Sequence, residues 1–233
     1  MTRRLGKFGF QIRRANSFEE LYQSFQLVHD QCLQAGLLQQ RRSKIRLFLR
    51  DLLPDATEFV AVVGKRVIGT ATGIRSGQGD LPCSVLYESE IEELLRAGRS
   101  VGESTKFACL PCPESETRGV GRLSAVSTEI LRWLFHWCRT LEISDWLVVV
   151  HPRVKNFYEN TLGFEVIGEK KKCPHVNDSP GVLLRLDINS VLSGSRVISS
   201  EAKAVFIDDP IDSELILAGL KILDHQVALL LLD

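Results

Sequence analysis

The sequence predicts an α/β (α+β) protein in which short β-type runs alternate with amphipathic helices. Three observations carry this prediction. The apolar period changes from helical to strand-like just after Pro54. Leu123, Val126, Ile130, Leu131, Leu134, Cys138 and Leu141 then form one apolar stripe at helical spacing, the clearest helix in the chain. Directly after it, Trp146 to Val150 is a continuous apolar run, as expected for a strand buried on both faces.

The elements follow in order. Phe8 to Arg14 reads as a strand. Ser17 and Glu20 have the spacing of a capping box and open a helix, with Leu21, Phe25, Val28 and Cys32 on one face and Gly36 as its stop. A second helix is predicted from Arg41 to Leu53, with Ile45, Phe48, Leu49 and Leu52 on one face, ended by Pro54. Glu58 to Val63 and Arg66 to Ile74 form a hairpin turning at Gly64-Lys65. A short helix over Leu86 to Arg96 and a strand over Glu103 to Leu110 come next, closed by Pro111-Cys112-Pro113. After the long helix and its following strand, Pro152 to Leu162 is a short helix ending at Gly163. Phe164 to Gly168 and Val182 to Asp187 are the last strands, with a polar loop between them. The order is β-α-α-β-β-(α)-β-α-β-α-β-β. Beyond Ile188 the pattern loosens: Ser190 to Ser200 is linker-like, and Ser213 to Leu232 is a helical, apolar tail. Residues 1–188 are therefore expected to be the main domain, and 189–233 a linker and C-terminal helical extension.

With 233 residues, 44% of them apolar, the chain can bury a substantial core. Lys plus Arg equals Asp plus Glu at 29 each, so no global attraction to nucleic acid follows, and no aromatic-interleaved basic motif supplies a local one. No apolar run reaches the roughly 20 residues that span a bilayer. The basic start MTRRLGKFGFQIRR lacks the long apolar segment of a secretory signal. Six scattered cysteines do not suggest a disulfide framework, and a reducing, cytoplasmic setting is the expectation. Cys109 and Cys112, with Cys173 and His175, do not have the spacing of a standard zinc module, so buried thiols and no metal are expected.

The element order, with the turn Arg118-Gly119-Val120-Gly121 between a strand and the long helix, resembles the GNAT acyltransferases. The turn is similar to that family's R/Q-x-x-G-x-G/A, although counting from Arg118 places Leu123 at the last small position, and counting from Glu116 loses the leading Arg or Gln. Asn156-Phe157-Tyr158-Glu159 through Leu162-Gly163-Phe164 looks like the family's N-x-Y-x-x-x-G-F ending. Glu103-Ser104-Thr105-Lys106-Phe107 resembles the E-x-S-R-F strand of acyl-homoserine-lactone synthases, with Lys106 where those enzymes usually carry Arg. His151-Pro152-Arg153 to Tyr158, then Pro174-His175-Val176-Asn177 and Leu183 to Asp187, look most like the related long-chain N-acyl amino acid synthases. The resemblance implies a mixed, mostly antiparallel central sheet with helices on both faces. It also implies a fatty acyl group carried on a phosphopantetheine thioester, as acyl-carrier protein or acyl-CoA, used as co-substrate with no permanently bound cofactor.

Aminolysis of a thioester needs a neutral amine, a site for the developing oxyanion, and a proton for the departing thiolate. Gly119 and Gly121 would let the backbone at the start of the long helix approach the pantetheine phosphate, with Val120 between them and Arg118 and Arg122 adding charge. Glu103, in a mostly apolar strand, is the candidate general base, because desolvation raises a carboxyl pKa. Tyr158 is the candidate acid for the thiolate, and His151 the alternative base. Arg41, Arg42, Lys44, Arg46 and Arg50 are expected on one helix as a docking face for acidic acyl carrier protein. The reading is an N-acyltransferase acting on an amino acid or similar small amine. The alternatives are a catalytically silent module that binds an acyl carrier or partner protein, and a homoserine-lactone synthase. A homodimer through the tail is a further expectation.

Overall fold

The structure is a computed structural model and describes residues 9–39, 42–77, 80–110 and 124–218. Eight strands form one sheet: β1 (Gln11–Arg14), β2 (Ala56–Val63), β3 (Arg66–Arg75), β4 (Val101–Cys109), β5 (Asp145–Val150), β6 (Glu165–Val166), β7 (Lys171–Cys173) and β8 (Ser179–Asp187). Their order is β1-β2-β3-β4-β5-β8-β6, with β7 also paired to β8. Every pairing is antiparallel except that of β4 with β5.

Helices cover both faces, as the family resemblance implied. The long amphipathic helix α3 (Ala125–Thr140) lies on one face, and α1 (Phe18–Gln34) and α2 (Ser84–Arg96) on the other. Side-chain alternation divides each strand between these faces. On β5, Trp146, Val148 and Val150 join the α3 core, whereas Leu147 packs with Tyr87 and Ile91 of α2. Trp137 of α3 lies flat on the sheet where Gly73 of β3 leaves room: a Cβ there would meet its ring at 3.1 Å. Ser17 caps α1 as predicted, its Oγ accepting the Glu20 N–H at 3.3 Å.

Three differences from the sequence reading matter. No helix spans the region from Arg41 to Leu53. Among its described residues the chain is a loop closed by a single 3-10 turn, Leu49–Leu52. Lys44 takes φ +52° and Phe48 is extended, so the helical spacing of Ile45, Phe48 and Leu52 is coincidental. Tertiary partners override it: the Arg46 N–H donates to Phe25 O at 3.0 Å, and Arg46 and Asp51 are buried. The second difference is β7, which the polar Lys170-Lys171-Lys172 stretch concealed. The third lies beyond β8. α4 (Pro152–Asn160) is followed, after β8, by α5 (Ile188–Leu192), α6 (Ser200–Phe206) and α7 (Ser213–Leu217). Ala202, Phe206 and Ile216 from these last helices are buried in the same core as α3. Phe206 stacks on Phe135 with ring centroids 4.5 Å apart. Truncating a buried phenylalanine typically costs about 3–5 kcal/mol. Phe206→Ala is therefore expected to lower the urea midpoint of the whole domain in a single transition. The remainder of the predicted tail lies outside the described residues.

Candidate active site

The site begins with a divergence of strands. β4 and β5 pair only at Val101, Gly102 and Glu103, opposite Asp145, Trp146 and Leu147. Past that point β4 runs on to Cys109 and β5 to Val150 without pairing, so a gap opens directly after Glu103. The start of β5 is held by ion pairs. Fully buried Asp145 accepts from Arg99 Nε at 2.5 Å, from Ser144 Oγ at 2.5 Å and from Arg185 on β8. At the far side of the gap β4 carries a bulge. Thr72 faces Thr105 and Thr70 faces Ala108, so Lys106 and Phe107 share the place of one residue. Lys106 takes φ +53°, a left-handed conformation that a residue with a Cβ holds only at a cost of roughly 1–3 kcal/mol.

A cavity of about 1290 Å³ lies at this gap. It exceeds the roughly 300–1,000 Å³ of common small-molecule sites. Its wall mixes apolar side chains, among them Leu81, Val85, Leu86, Val149 and Val154, with the polar Arg46, Asp51, Glu103, Lys106, His151 and His175. Two loops meet across it. Arg46 Nη2 donates to His175 O at 3.0 Å, Phe48 meets the His175 ring edge-on at 5.7 Å, and Asn177 Nδ2 donates to Gly36 O at 3.1 Å.

Glu103 is 3% exposed, and its Oε2 accepts the Cys83 backbone N–H at 2.8 Å. Burial pushes its carboxyl pKa up to about 7, opposed by the hydrogen bonds from Cys83 and the positive charge of Arg50. Lys106 and Asp51, each 3% exposed at the side chain, form an ion pair at 2.5 Å. Lys106 Nζ has no other polar partner among the described residues, although it lies 5.0 Å from the centroid of the Phe25 ring. Asp51 Oδ2 also accepts the Phe48 N–H at 2.8 Å. Neither Lys106 as a site residue nor Asp51 was picked out from the sequence, since only the bulge and the loop fold bring them together.

The other sequence candidates fall in different places. His151 lines the cavity and caps α4, its Nδ1 accepting the Arg153 N–H at 3.1 Å. That bond puts the proton of the neutral ring on Nε2. Tyr158 is one turn beyond Val154 on α4, but its ring packs edge-on against Phe157 and Phe164 in the α3-side core. It does not line the cavity, and burial pushes its pKa up to about 12. The structure thus brings Glu103 and His151 together and leaves Tyr158 apart. Arg118, Gly119, Val120, Gly121 and Arg122 lie outside the described residues, as do Arg41 and Cys112. Of the basic stretch expected to form one docking face, Arg46 is buried in the cavity wall and Arg50 is ion-paired with Asp55, while Arg42 and Lys44 are exposed. Cys173 and His175 line the cavity, whereas Cys109 Sγ accepts from Ser127 Oγ at 3.5 Å on the α3 side.

A mixed sheet whose one parallel pair splays beyond a buried carboxylate gives the chain the GNAT-like fold of the N-acetyltransferases. The comparison of sequences narrows this: the model of the N-acyl amino acid synthase FeeM family matches residues 23–187. The chain belongs to that family and is an N-acyltransferase. Solved structures agree on the fold. FeeM, an N-acyl amino acid synthase from uncultured soil microbes, superposes with a TM-score of 0.67 at 20% identity, covering 79% of this chain and 93% of its own. The acyl-homoserine-lactone synthase LasI gives a TM-score of 0.58 at 15% identity, covering 87% and 96%. BjaI, a CoA-dependent acyl-homoserine-lactone synthase solved with S-adenosylmethionine and isopentyl-CoA, gives 0.51 at 15% identity, covering 96% and 100%. No curated protein matches the chain by sequence. No helix among the described residues is long and apolar enough to cross a membrane.

Proposed function

We propose that the chain transfers a fatty acyl group from an acyl-carrier-protein or CoA thioester to the α-amine of an amino acid. Glu103 acts as the general base. The observation that carries this reading is the buried carboxyl of Glu103 at the parting of β4 and β5, on the wall of a cavity lined by both apolar and charged side chains.

The acyl chain lies along Val85, Leu86, Val149 and Val154. The acceptor's carboxylate sits on the Lys106 ammonium, with Arg46 also on the cavity wall. An ammonium carries three donors, so Lys106 can keep Asp51 while accepting a second carboxylate. Glu103 takes a proton from the acceptor's ammonium, directly or by way of water. The free amine attacks the thioester carbon, the C–S bond breaks, the thiolate leaves with a proton, and the nitrogen gives up its second proton to the group that protonated the thiolate, which restores that group. Two candidates for the thiolate's proton differ in placement: His151 carries one on Nε2 at the cavity wall, whereas Tyr158, on the same helix, keeps its own up to a pH of about 12 but packs in the α3-side core away from that wall. Tyr158→Phe and His151→Gln, compared for turnover, separate them: the donor's loss lowers kcat, and the other variant stays near wild type.

The segment Arg118 to Arg122 is assigned to the pantetheine phosphate, because α3, which starts at Ala125, presents free backbone N–H groups and a positive dipole end. Exposed Arg42, Lys44, Arg153, Lys170 and Lys172 are assigned to docking an acidic acyl carrier protein. The donor question has a direct test. Acyl-carrier protein as donor would show a steep loss of kcat/KM with salt, whereas acyl-CoA would be affected little. The reaction itself is tested by mass spectrometry of lipid extracts from bacteria expressing the chain, beside a Glu103→Gln control. New N-acyl amino acids confined to the wild-type culture are the expected result, and extracts identical to the control count against the assignment.

A further inference from the structure

The sheet has two halves that meet along a short seam. β1 to β4 form one half, each strand antiparallel to its neighbour, and β5, β8 and β6 form the other. Only Val101, Gly102 and Glu103 of β4 pair across the seam, with Asp145, Trp146 and Leu147 of β5. The groups assigned to the reaction lie on different halves. Glu103 and Lys106 are on β4, whereas Val149, His151 and Val154 are on β5 and at the start of α4. The placement of the base relative to the acyl chain therefore depends on the angle at the seam.

Both ends of the seam are tied. At the closed end the Ser100 carbonyl accepts the N–H groups of Ser144 and Asp145 at 2.8 and 3.0 Å, and Ser144 Oγ accepts the Ser100 N–H at 3.0 Å. At the open end the Trp146 indole N–H donates to Ser104 Oγ at 2.8 Å. Ser104 is the first residue of β4 without a partner opposite it in β5. Among the described residues this is the one side-chain hydrogen bond between β4 and β5. It joins two stiff bodies. Ser104 is paired with Gly73 of β3, while Trp146 is fully buried, its ring meeting Phe164 edge-on at 5.2 Å and Phe206 at 6.1 Å between centroids. Alternation along β4 turns Ser104 to this α3-side core and Glu103 to the opposite face, and neither Ser104 nor Trp146 lines the cavity.

We propose that Ser104 is a positioning residue: its hydroxyl, by holding the Trp146 indole N–H, fixes the angle at which β4 and β5 part. That angle sets the separation between the Glu103 carboxyl and an acyl chain lying along Val149 and Val154. The proposal rests on Glu103 being the base and on this cavity taking the acyl thioester. Without the tie the two halves can rock about the paired seam, so the thioester is held less closely against the base and chain length is discriminated less.

The test is acyl transfer by wild type, Ser104→Ala and Ser104→Thr across donors of increasing chain length, with kcat and both KM values measured. In Ser104→Ala, kcat with the preferred donor is expected to fall about 10- to 100-fold, because a misplacement of about 1 Å carries a loss of that order. The ratio of kcat/KM between the preferred and longer donors is expected to shrink. The acceptor KM stays near wild type, since Lys106 keeps its ion pair with Asp51. Ser104→Thr keeps the accepting oxygen and suits a strand, so its kcat and chain-length preference are expected near wild type. A merely structural hydrogen bond would lower the urea midpoint and leave kcat and chain-length preference unchanged. That result in Ser104→Ala, or equal losses in the alanine and threonine variants, overturns the inference. Should Ser104→Ala fail to fold because the indole N–H is left buried without a partner, Trp146→Phe removes that donor together with the bond. It is expected to show the same losses, and a wild-type profile overturns the inference. Full turnover in Glu103→Gln would instead remove the base assignment. An inactive Glu103→Gln beside an unchanged Ser104→Ala profile removes only the role of Ser104.

Discussion

Replacing Glu103 by glutamine is expected to lower kcat/KM for acyl transfer by about 10²–10⁴-fold, the range that a positioned general base supplies. The substitution keeps volume and polarity, so the cavity stays intact while the proton acceptor is lost. Because the carboxyl is held at about 7, wild-type kcat/KM should rise with pH through that value, and the limb should be missing from the variant. Stability moves in the opposite sense. The folded pKa of Glu103 lies above its ordinary 4.5, so folding favours the protonated form, and that contribution is fully present only below pH 4.5. It is lost as pH rises through 7, at a cost of roughly 3 kcal/mol across the window. Glu103→Gln carries no such cost. The variant should therefore be at least as stable as wild type at pH 8 in urea unfolding, and its inactivity cannot be ascribed to unfolding. A variant that is both inactive and destabilised at pH 8 would contradict the assignment.

The second large effect is expected at Lys106. Lys106→Met keeps a long apolar side chain beside Phe25 and removes the ammonium that lies over its ring. Hydrogen bonds to charged groups contribute about 1.5–3 kcal/mol, so the acceptor's KM should rise about 10- to 150-fold with the donor's KM little changed. The same substitution leaves Asp51 buried with an uncompensated charge, which typically costs about 3–5 kcal/mol of stability. Lys106→Met/Asp51→Asn separates the two effects. The neutral amide can still accept the Phe48 N–H, so the double variant should regain most of the stability. Its acceptor KM should stay as high as in the single variant. Recovery of both together would make Lys106 a structural partner of Asp51 and nothing more.

Much of the scaffold was legible because its signals are local. The stripe from Val126 to Cys138 became α3, the run from Trp146 to Val150 became β5, and Gly64-Lys65 became the turn between β2 and β3. Glu103 could be picked out for the same reason: a carboxylate in an apolar strand stands out in the sequence. The polar lining of the cavity was hidden because its contacts are distant. Arg46 meets His175 across 129 residues of sequence, and these contacts replace the helix that the spacing of Ile45, Phe48 and Leu52 suggested. Lys106 drew attention in the sequence only because it stands where related enzymes carry Arg. Its left-handed backbone and its pairing with Asp51 are visible only in the fold. Cys83 gave no signal at all. Its backbone N–H meets Glu103 only because it lies at the start of α2 where that helix meets β4.

The most direct test of the central claim is an assay of the purified chain with acyl-carrier-protein and CoA thioesters of several chain lengths and a panel of amino acids. Released thiol and N-acylated product would be followed together, with Glu103→Gln alongside. The account predicts one N-acyl amino acid formed per thiol released, from at least one donor, and its near-disappearance in the variant. Thiol release without N-acyl product, or no transfer from either donor to any amine, would contradict it.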